Sequence, residues 1–397
     1  MNRTALVLAP PTGDQRWVTG LGLGERGRRV ATRAGFTDDR IVVARSAEEL
    51  RAAAGRLVGP LLLIRATDQV VAVPLVEALR PDQPGDRRAI DPARGDGYAG
   101  GRVVDDGAAL VAALIADFAH GDEAGGGEAV PVGERARFPA ANPAEVKAAN
   151  AWQWDLVNKA MDAPITRYFY RPLARPLTHL FLRTPLSPNV ISLISIALSL
   201  GGCAVAASAS STWHIIGLAI LVAGGITDCN DGEVARLRLQ MSKAGAWLDA
   251  MGDDAARLAL VAGIGLHVHH LHPTWHALAI TGASLAMTIL GLGLIYWYCI
   301  FVINSSNNQD YTRALQIGPG VRPAGKRTAW QVASDWGAQI IRRDFIDLGV
   351  LVLAICHFSE FSFVMLSVGA AVTLLVVIPT HLKIVKGLRT GAISRYR

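Results

Sequence analysis

Four aspartates carry the chemistry this sequence offers. The run Asp228-Cys229-Asn230-Asp231-Gly232-Glu233-Val234-Ala235-Arg236 is followed by Gly245, Asp249 and Asp253. Asp228 and Asp231 are three residues apart and Asp249 and Asp253 four apart, so on helices each pair shares a face. Apolar segments flank the run on both sides, and ionised groups at a membrane boundary are costly and usually functional. Two helix ends facing each other would form a nest of oxygen ligands, suited to Mg2+ or Mn2+ and not to zinc. The bland alternative is a solvated loop whose acids pair with Arg236 and Arg238.

The elements that must position these acids follow from hydropathy. Of 397 residues, 51% are hydrophobic, and the long apolar runs begin near Val190. Six segments are candidate spans: Val190–Ala209, Trp213–Thr227, Asp249–Leu266, Trp275–Ile303, Phe345–Phe358 and Phe361–Val385. The second, third and fifth are short for a span of about twenty residues; the second is expected to run on into the acidic run and the third to begin within it. Ser208–Thr212, His267–Thr274 and Ser359–Glu360 lack Lys and Arg, whereas the alternate connections and the tail carry Arg236, Arg238, Lys243, Arg313, Arg322, Lys326, Arg327, Arg342, Arg343, Lys383, Lys386, Arg389, Arg395 and Arg397. The positive-inside rule then places both termini and the acids on the cytoplasmic side of a cell membrane. The net charge of +6 belongs, on this distribution, to a membrane surface and not to nucleic acid. Cys203, Cys229, Cys299 and Cys356 have no paired spacing and act as small hydrophobes. No cleaved signal peptide is visible at the N-terminus.

Residues 141–186 are expected to form a juxtamembrane amphipathic segment, with Trp152, Trp154, Tyr168, Phe169 and Tyr170 among basic residues from Lys159 to Arg183. Ahead of it, Thr4–Ala9, Arg40–Ala44 and Pro60–Ile64 suggest buried strands alternating with helices over Gly24–Gly35, Ala47–Leu57 and Val73–Leu79. That alternation predicts a parallel-sheet α/β layer in residues 1–140, closed by a flexible linker at Gly121–Gly133.

The spacing D-x2-D-G-x2-A-R-x8-G-x3-D-x3-D, met at every fixed position, resembles the signature of the CDP-alcohol phosphotransferases. That resemblance implies an all-α, six-helix transmembrane domain over residues 187–397 that moves a substituted phosphate from a CDP-alcohol to an acceptor alcohol, with release of CMP. It implies Asp228, Asp231, Asp249 and Asp253 as ligands of two Mg2+ or Mn2+ ions, with Asp253 also the general base. Gly232, Ala235 and Gly245 would admit the cytidine and its phosphates, and Arg236 would neutralise the diphosphate. The Pro188-Asn189 pair ahead of the first span would place Asn189 near the nucleotide; a plain helix start at Pro188 is the alternative. A homodimer is implied as well. The order of domains is similar to fused proteins in which a nucleotidyltransferase makes CDP-inositol for the phosphotransferase. The front domain departs from that pattern: its first loop reads Ala9-Pro10-Pro11-Thr12-Gly13-Asp14-Gln15-Arg16, and the first 146 residues contain no Lys. A small, soluble, degenerate nucleotidyltransferase-like domain is therefore expected, with Asp68 read as a surface loop acid and a remnant metal ligand as the alternative.

Donor identity stays open between CDP-diacylglycerol and a CDP-inositol type. Arg342 and Arg343 are acceptor-phosphate candidates, against ordinary membrane anchoring. His267, His269, His270, His272 and His276 offer metal ligands, against an incidental cluster. A cation-coupled transporter is the competing function; its acids would sit near the midplane on broken helices within repeated halves, and no repeat is visible here.

Overall fold

The computed structural model describes residues 3–11, 16–92, 100–121, 126–157, 163–305, 311 and 342–391. Most of the Ala9–Arg16 loop's centre, part of the Gly121–Gly133 linker, Lys159, the basic residues Arg313 to Arg327, and Arg395 and Arg397 lie outside the described residues. The chain divides into two compact units, Met1–Ala160 with Ala235–Gln240, and Met161–Val234 with Met241–Arg397.

The first unit contains β1 (Thr4–Leu8), β2 (Trp17–Val18), β3 (Leu21–Gly22), α1 (Leu23–Arg33), β4 (Ile41–Ala44), α2 (Ala47–Ala53), β5 (Leu61–Arg65), β6 (Gln69–Val71), α3 (Val73–Leu79), β7 (Arg87–Ile90), β8 (Gly101–Val104), α4 (Gly107–Ala116), β9 (Glu128–Pro131), β10 (Arg137–Pro139) and α5 (Pro143–Val157). The expected strands and helices are present almost residue for residue. The expected parallel sheet is not: the six-stranded order is β4-β1-β5-β8-β7-β9, and β8 runs antiparallel to both β5 and β7. Only β4-β1-β5 and β7-β9 pair in parallel.

Alternation along the strands builds two apolar layers, because successive side chains point to opposite faces. Ala5, Val7, Leu62 and Ile64 join Val30 and Ala31 of α1 and Leu75, Val76 and Leu79 of α3. Leu6, Leu8, Leu61 and Leu63 join Leu50 of α2 and Leu110 and Leu114 of α4. Each such buried leucine contributes about 1.5–3 kcal/mol. Gly27 lets α1 lie on β1; a Cβ there would stand 2.7 Å from Val7 Cγ1. Leu239, in the Ala235–Gln240 stretch of this unit, packs against the first layer, and fully buried Arg26 donates to the Leu237 carbonyl at 2.7 Å. Asp68 is exposed, as expected. The juxtamembrane segment does not behave as one element. Its first part, α5, packs in this unit, where Trp152 meets Phe138 at 5.4 Å between ring centroids.

The second unit holds a wide helical turn over Thr166–Tyr170, then α6 (Arg171–Leu182), α7 (Pro188–Ala206), α8 (Ser211–Leu237, whose last residues group with the first unit), α9 (Lys243–Leu271), α10 (Trp275–Phe301), α11 (Arg343–Ile355) and α12 (Ser359–Arg389). Helices α7, α8, α10 and α12 are long and apolar enough to cross a membrane, which makes this a multi-pass membrane protein. The other two expected spans exist as helices but differ in kind. Helix α9 is 29 residues long with Lys243, Asp249, Asp253, Asp254 and Arg257 in its first half, and α11 has 13 residues. Without a hydrophobic excess between helices in lipid, small residues permit the close packing that holds them. A Cβ on Gly202 of α7 would meet the Leu221 nitrogen of α8 at 2.6 Å.

Three histidines, His214, His267 and His270, settle at the end of α7. Its last carbonyls would lack partners, and Ala206, Ala207 and Ser208 accept from Nδ1 of His214, His270 and His267 at 2.5, 3.1 and 2.6 Å. The His214 and His267 rings stack at 3.7 Å. Among the described residues no group of three potential metal ligands forms there. His267→Ala should therefore cost about 1–2 kcal/mol, lowering the melting temperature in detergent by about 2–4 °C, and leave divalent-cation binding unchanged; calorimetry checks the first and a Mn2+ titration the second.

Candidate metal and transfer site

The acidic run occupies the last turns of α8 and the first turns of α9. Ser242 caps α9, its Oγ accepting from the Gly245 amide at 2.9 Å, so the chain turns within Arg238–Ser242 and the two acidic stretches return toward each other. Asp228, Asp249 and Asp253 each place one carboxylate oxygen within 4.8 Å of the others. Among the described residues this is the one such group of three. Asp231 stands outside it; its carboxylate accepts from Ser192 Oγ and is buried.

Helix α7 supplies polar support that the sequence reading missed. Ser192, Ser195 and Ser199, all buried, form a ladder at i, i+3 and i+7 on an otherwise apolar helix. Ser195 Oγ donates to Asp228 Oδ1 at 3.1 Å. Ser199 Oγ accepts from Arg343 Nη2 at 3.0 Å. The helical spacing of hydroxyls facing an acidic run was a readable signal. Asn189, at the start of α7, faces Gly245: a Cβ on that glycine would stand 2.9 Å from Asn189 Oδ1. The two positions assigned to nucleotide approach are therefore neighbours, and a side chain at 245 would displace the Asn189 amide.

Arg343 enters the acid group itself. Its Nη1 pairs with Asp253, and its Nε lies 3.2 Å from Asp347 Oδ2, one turn on along α11. Arg342 is the N-cap residue of α11. Gly232 lies on α8 beside Asp231, while Ala235 and Arg236 follow on the same helix in the stretch that groups with the first unit. Another partly buried acid sits next to the site: Asp254 accepts from Tyr296 Oη at 2.5 Å.

The donor set fits a hard divalent cation. Three carboxylate oxygens, with serine hydroxyls behind them and neither His nor Cys in the group, match Mg2+ or Mn2+.

A family profile described as CDP-alcohol phosphatidyltransferase matches residues 185–316, which include the whole acidic run. A bifunctional IPC transferase and DIPP synthase from Rubrobacter xylanophilus is 37% identical over 105 residues, covering 26% of this chain and 23% of that protein. The chain thus spans less than a quarter of that curated relative's length. Among solved structures, the Mycobacterium tuberculosis phosphatidylinositol phosphate synthase with CDP-DAG bound is 18% identical, at a TM-score of 0.36, covering 53% of this chain and 94% of that one.

Mn2+ titrated into the purified protein and followed by electron paramagnetic resonance should bind, and Asp249→Asn should weaken binding about tenfold or more, since each lost carboxylate removes charge and a ligand from a site of this kind. Equal affinity in the two proteins would remove Asp249 from the ligand set.

Proposed function

We propose that this chain, whose residues 185–316 match the CDP-alcohol phosphatidyltransferase profile, is a membrane enzyme that transfers a substituted phosphate from a CDP-alcohol to an acceptor hydroxyl and releases CMP. The observation that supports it most directly is the convergence of Asp228, Asp249 and Asp253 from two helices. The reading includes six membrane-embedded helices in residues 187–397, α9 and α11 completing the set of four long apolar ones. It places the acids and both termini on the cytoplasmic side, where a cytidine nucleotide is available. Two copies of the chain forming a homodimer belong to the same reading.

In this mechanism the acceptor hydroxyl attacks the phosphorus farther from cytidine. The new phosphorus–oxygen bond forms as the bond to CMP breaks, and CMP leaves with the bridging oxygen. Asp253 takes the hydroxyl proton, the role of a carboxylate held within reach of a reacting group. Asp228, Asp231 and Asp249, with Asp253, would hold Mg2+ or Mn2+; bound there, the cations offset the charge of the diphosphate and of the departing CMP. Gly232, Ala235 and Gly245 give the donor room against the helix backbones, with Asn189 beside Gly245. Arg236, farther along α8, supplies a counter-charge for the diphosphate. Arg343, already among the acids, and Arg342 next to it would meet an anionic group on the acceptor.

The donor class is drawn from two sources. Similarity to a bifunctional IPC transferase and DIPP synthase favours a CDP-inositol type, and a membrane-embedded site favours CDP-diacylglycerol. Purified protein with Mg2+ and a panel of CDP-alcohols, assayed for CMP, decides between them. Donor-dependent CMP release is expected; cation movement without CMP release would favour a transporter instead. Asp253→Asn should lower kcat by about 10²–10⁴-fold with a smaller effect on donor KM, and full turnover in that variant would remove Asp253 as the base.

A further inference from the structure

The acid group has a buried counterpart on the back of the same helix. At 100° per residue, the direction of Asp228 and Asp231 on α8 and that of Asn230 and Glu233 differ by about 160°. Glu233 occupies a position that the recurring pattern leaves variable, and it is buried to 1% exposure. Arg171, the first residue of α6, donates from Nη1 to Glu233 Oε1 at 2.5 Å, with side chains 8% and 2% exposed. Thr178, two turns along α6, lies 2.6 Å from Glu233 Oε2 and 2.8 Å from the Asn230 amide.

Proton bookkeeping sets the direction of these bonds. A threonine hydroxyl has one proton and a carboxylate only accepts, so Thr178 donates to Glu233. The Asn230 amide must then present its nitrogen to Thr178, an assignment the oxygen and nitrogen positions of an amide leave free. The nitrogen is otherwise buried without a partner. The same stretch of chain grips α11: Thr166 Oγ1 donates to Asp344, Tyr170 Oη donates to the Asp344 carbonyl at 3.0 Å, and a Cβ on Gly225 of α8 would touch the Tyr170 ring at 3.1 Å. Asp344 adjoins Arg343, the partner of Asp253. One segment, Thr166–Thr178, thus holds both the helix that carries Asp228 and the helix that carries the acids' counter-charge.

Burying an ion pair is a poor way to gain stability, because desolvation opposes the Coulomb gain; its best-attested use is to fix register. On α8 the register matters: a rotation by one residue would carry Asp228 about 100° away from Asp249 and Asp253. We propose that Arg171 and Glu233 are positioning residues of the carboxylate site, their ion pair with Thr178 and Asn230 setting the rotation of α8 that brings Asp228 to Asp249 and Asp253. This rests on the reading of those three aspartates as the cation-holding site of the transferase.

The test measures Mn2+ affinity by electron paramagnetic resonance, CMP release and melting temperature for Glu233→Gln, Arg171→Ala, Arg171→Lys and Thr178→Val. Glu233→Gln and Arg171→Ala should each weaken Mn2+ binding about tenfold and lower kcat by a similar factor, with donor KM changing less than about threefold. Arg171→Lys, which keeps the charge, should return Mn2+ affinity to within about threefold of the unaltered protein. Unchanged Mn2+ affinity with a lowered melting temperature would make the pair a stability element and overturn the proposal. Should the first two variants not be recovered folded, Thr178→Val decides: it keeps the ion pair and the volume but removes the bond to Glu233, and unaltered Mn2+ affinity there overturns the proposal equally. Weakened Mn2+ binding in the variants, in a protein that releases no CMP from any CDP-alcohol, would sink the transferase reading and leave this one standing.

Discussion

Three carboxylates held close together repel one another, and the rest of the membrane unit answers that repulsion. With oxygens within 4.8 Å, each ionised pair costs about 3–4 kcal/mol at an effective dielectric of about 20. Among the described residues, Arg343 and a ladder of serines from α7 help to offset it. Both are placed by tertiary packing. Arg343 is 90 residues from Asp253 in sequence, and Ser195 is 33 from Asp228.

Close backbone approach makes this geometry possible. Gly202 brings α7 to α8, and Gly245 opens space for Asn189 at the other end of α7. A helix contacting two partners over small residues is held in translation but weakly in rotation, since small side chains interlock little. The Arg171–Glu233 network acts on the rotation, from the side of α8 away from the acids. Stability and orientation are thereby carried by different contacts on the same helix.

The first unit shows which parts of a fold period and composition reveal. The β1, β4 and β5 strands were legible because each is a short apolar run bounded by turn residues, and each pairs in parallel as a crossover through a helix requires. The antiparallel half was not legible. Strands β7, β8 and β9 are four residues each, and β7 and β8 carry Arg87, Arg88 and Arg102. Their arginines send guanidinium groups to backbone carbonyls, as Arg87 does to Leu79 and Arg80, so charge there is compatible with burial. Short charged strands of this kind carry no apolar run to mark them. The aromatic, basic surroundings of Trp152 suggested a bilayer surface, and its ring packs on Phe138.

By itself the sequence determined the chemistry on offer: the kinds and spacing of the aspartates, the oxygen-only donor set they imply, and the apolar helices that carry them. Those are local properties, set by residue type and by the 3.6-residue period. Tertiary structure alone decided which acids meet. It brought Asp228, Asp249 and Asp253 together, sent Asp231 to Ser192, put Arg343 among the acids, and paired Glu233 with Arg171 in the interior. The physical reason is that a side chain's partner across a helix interface depends on helix rotation and height, which arise from packing between segments far apart in the chain.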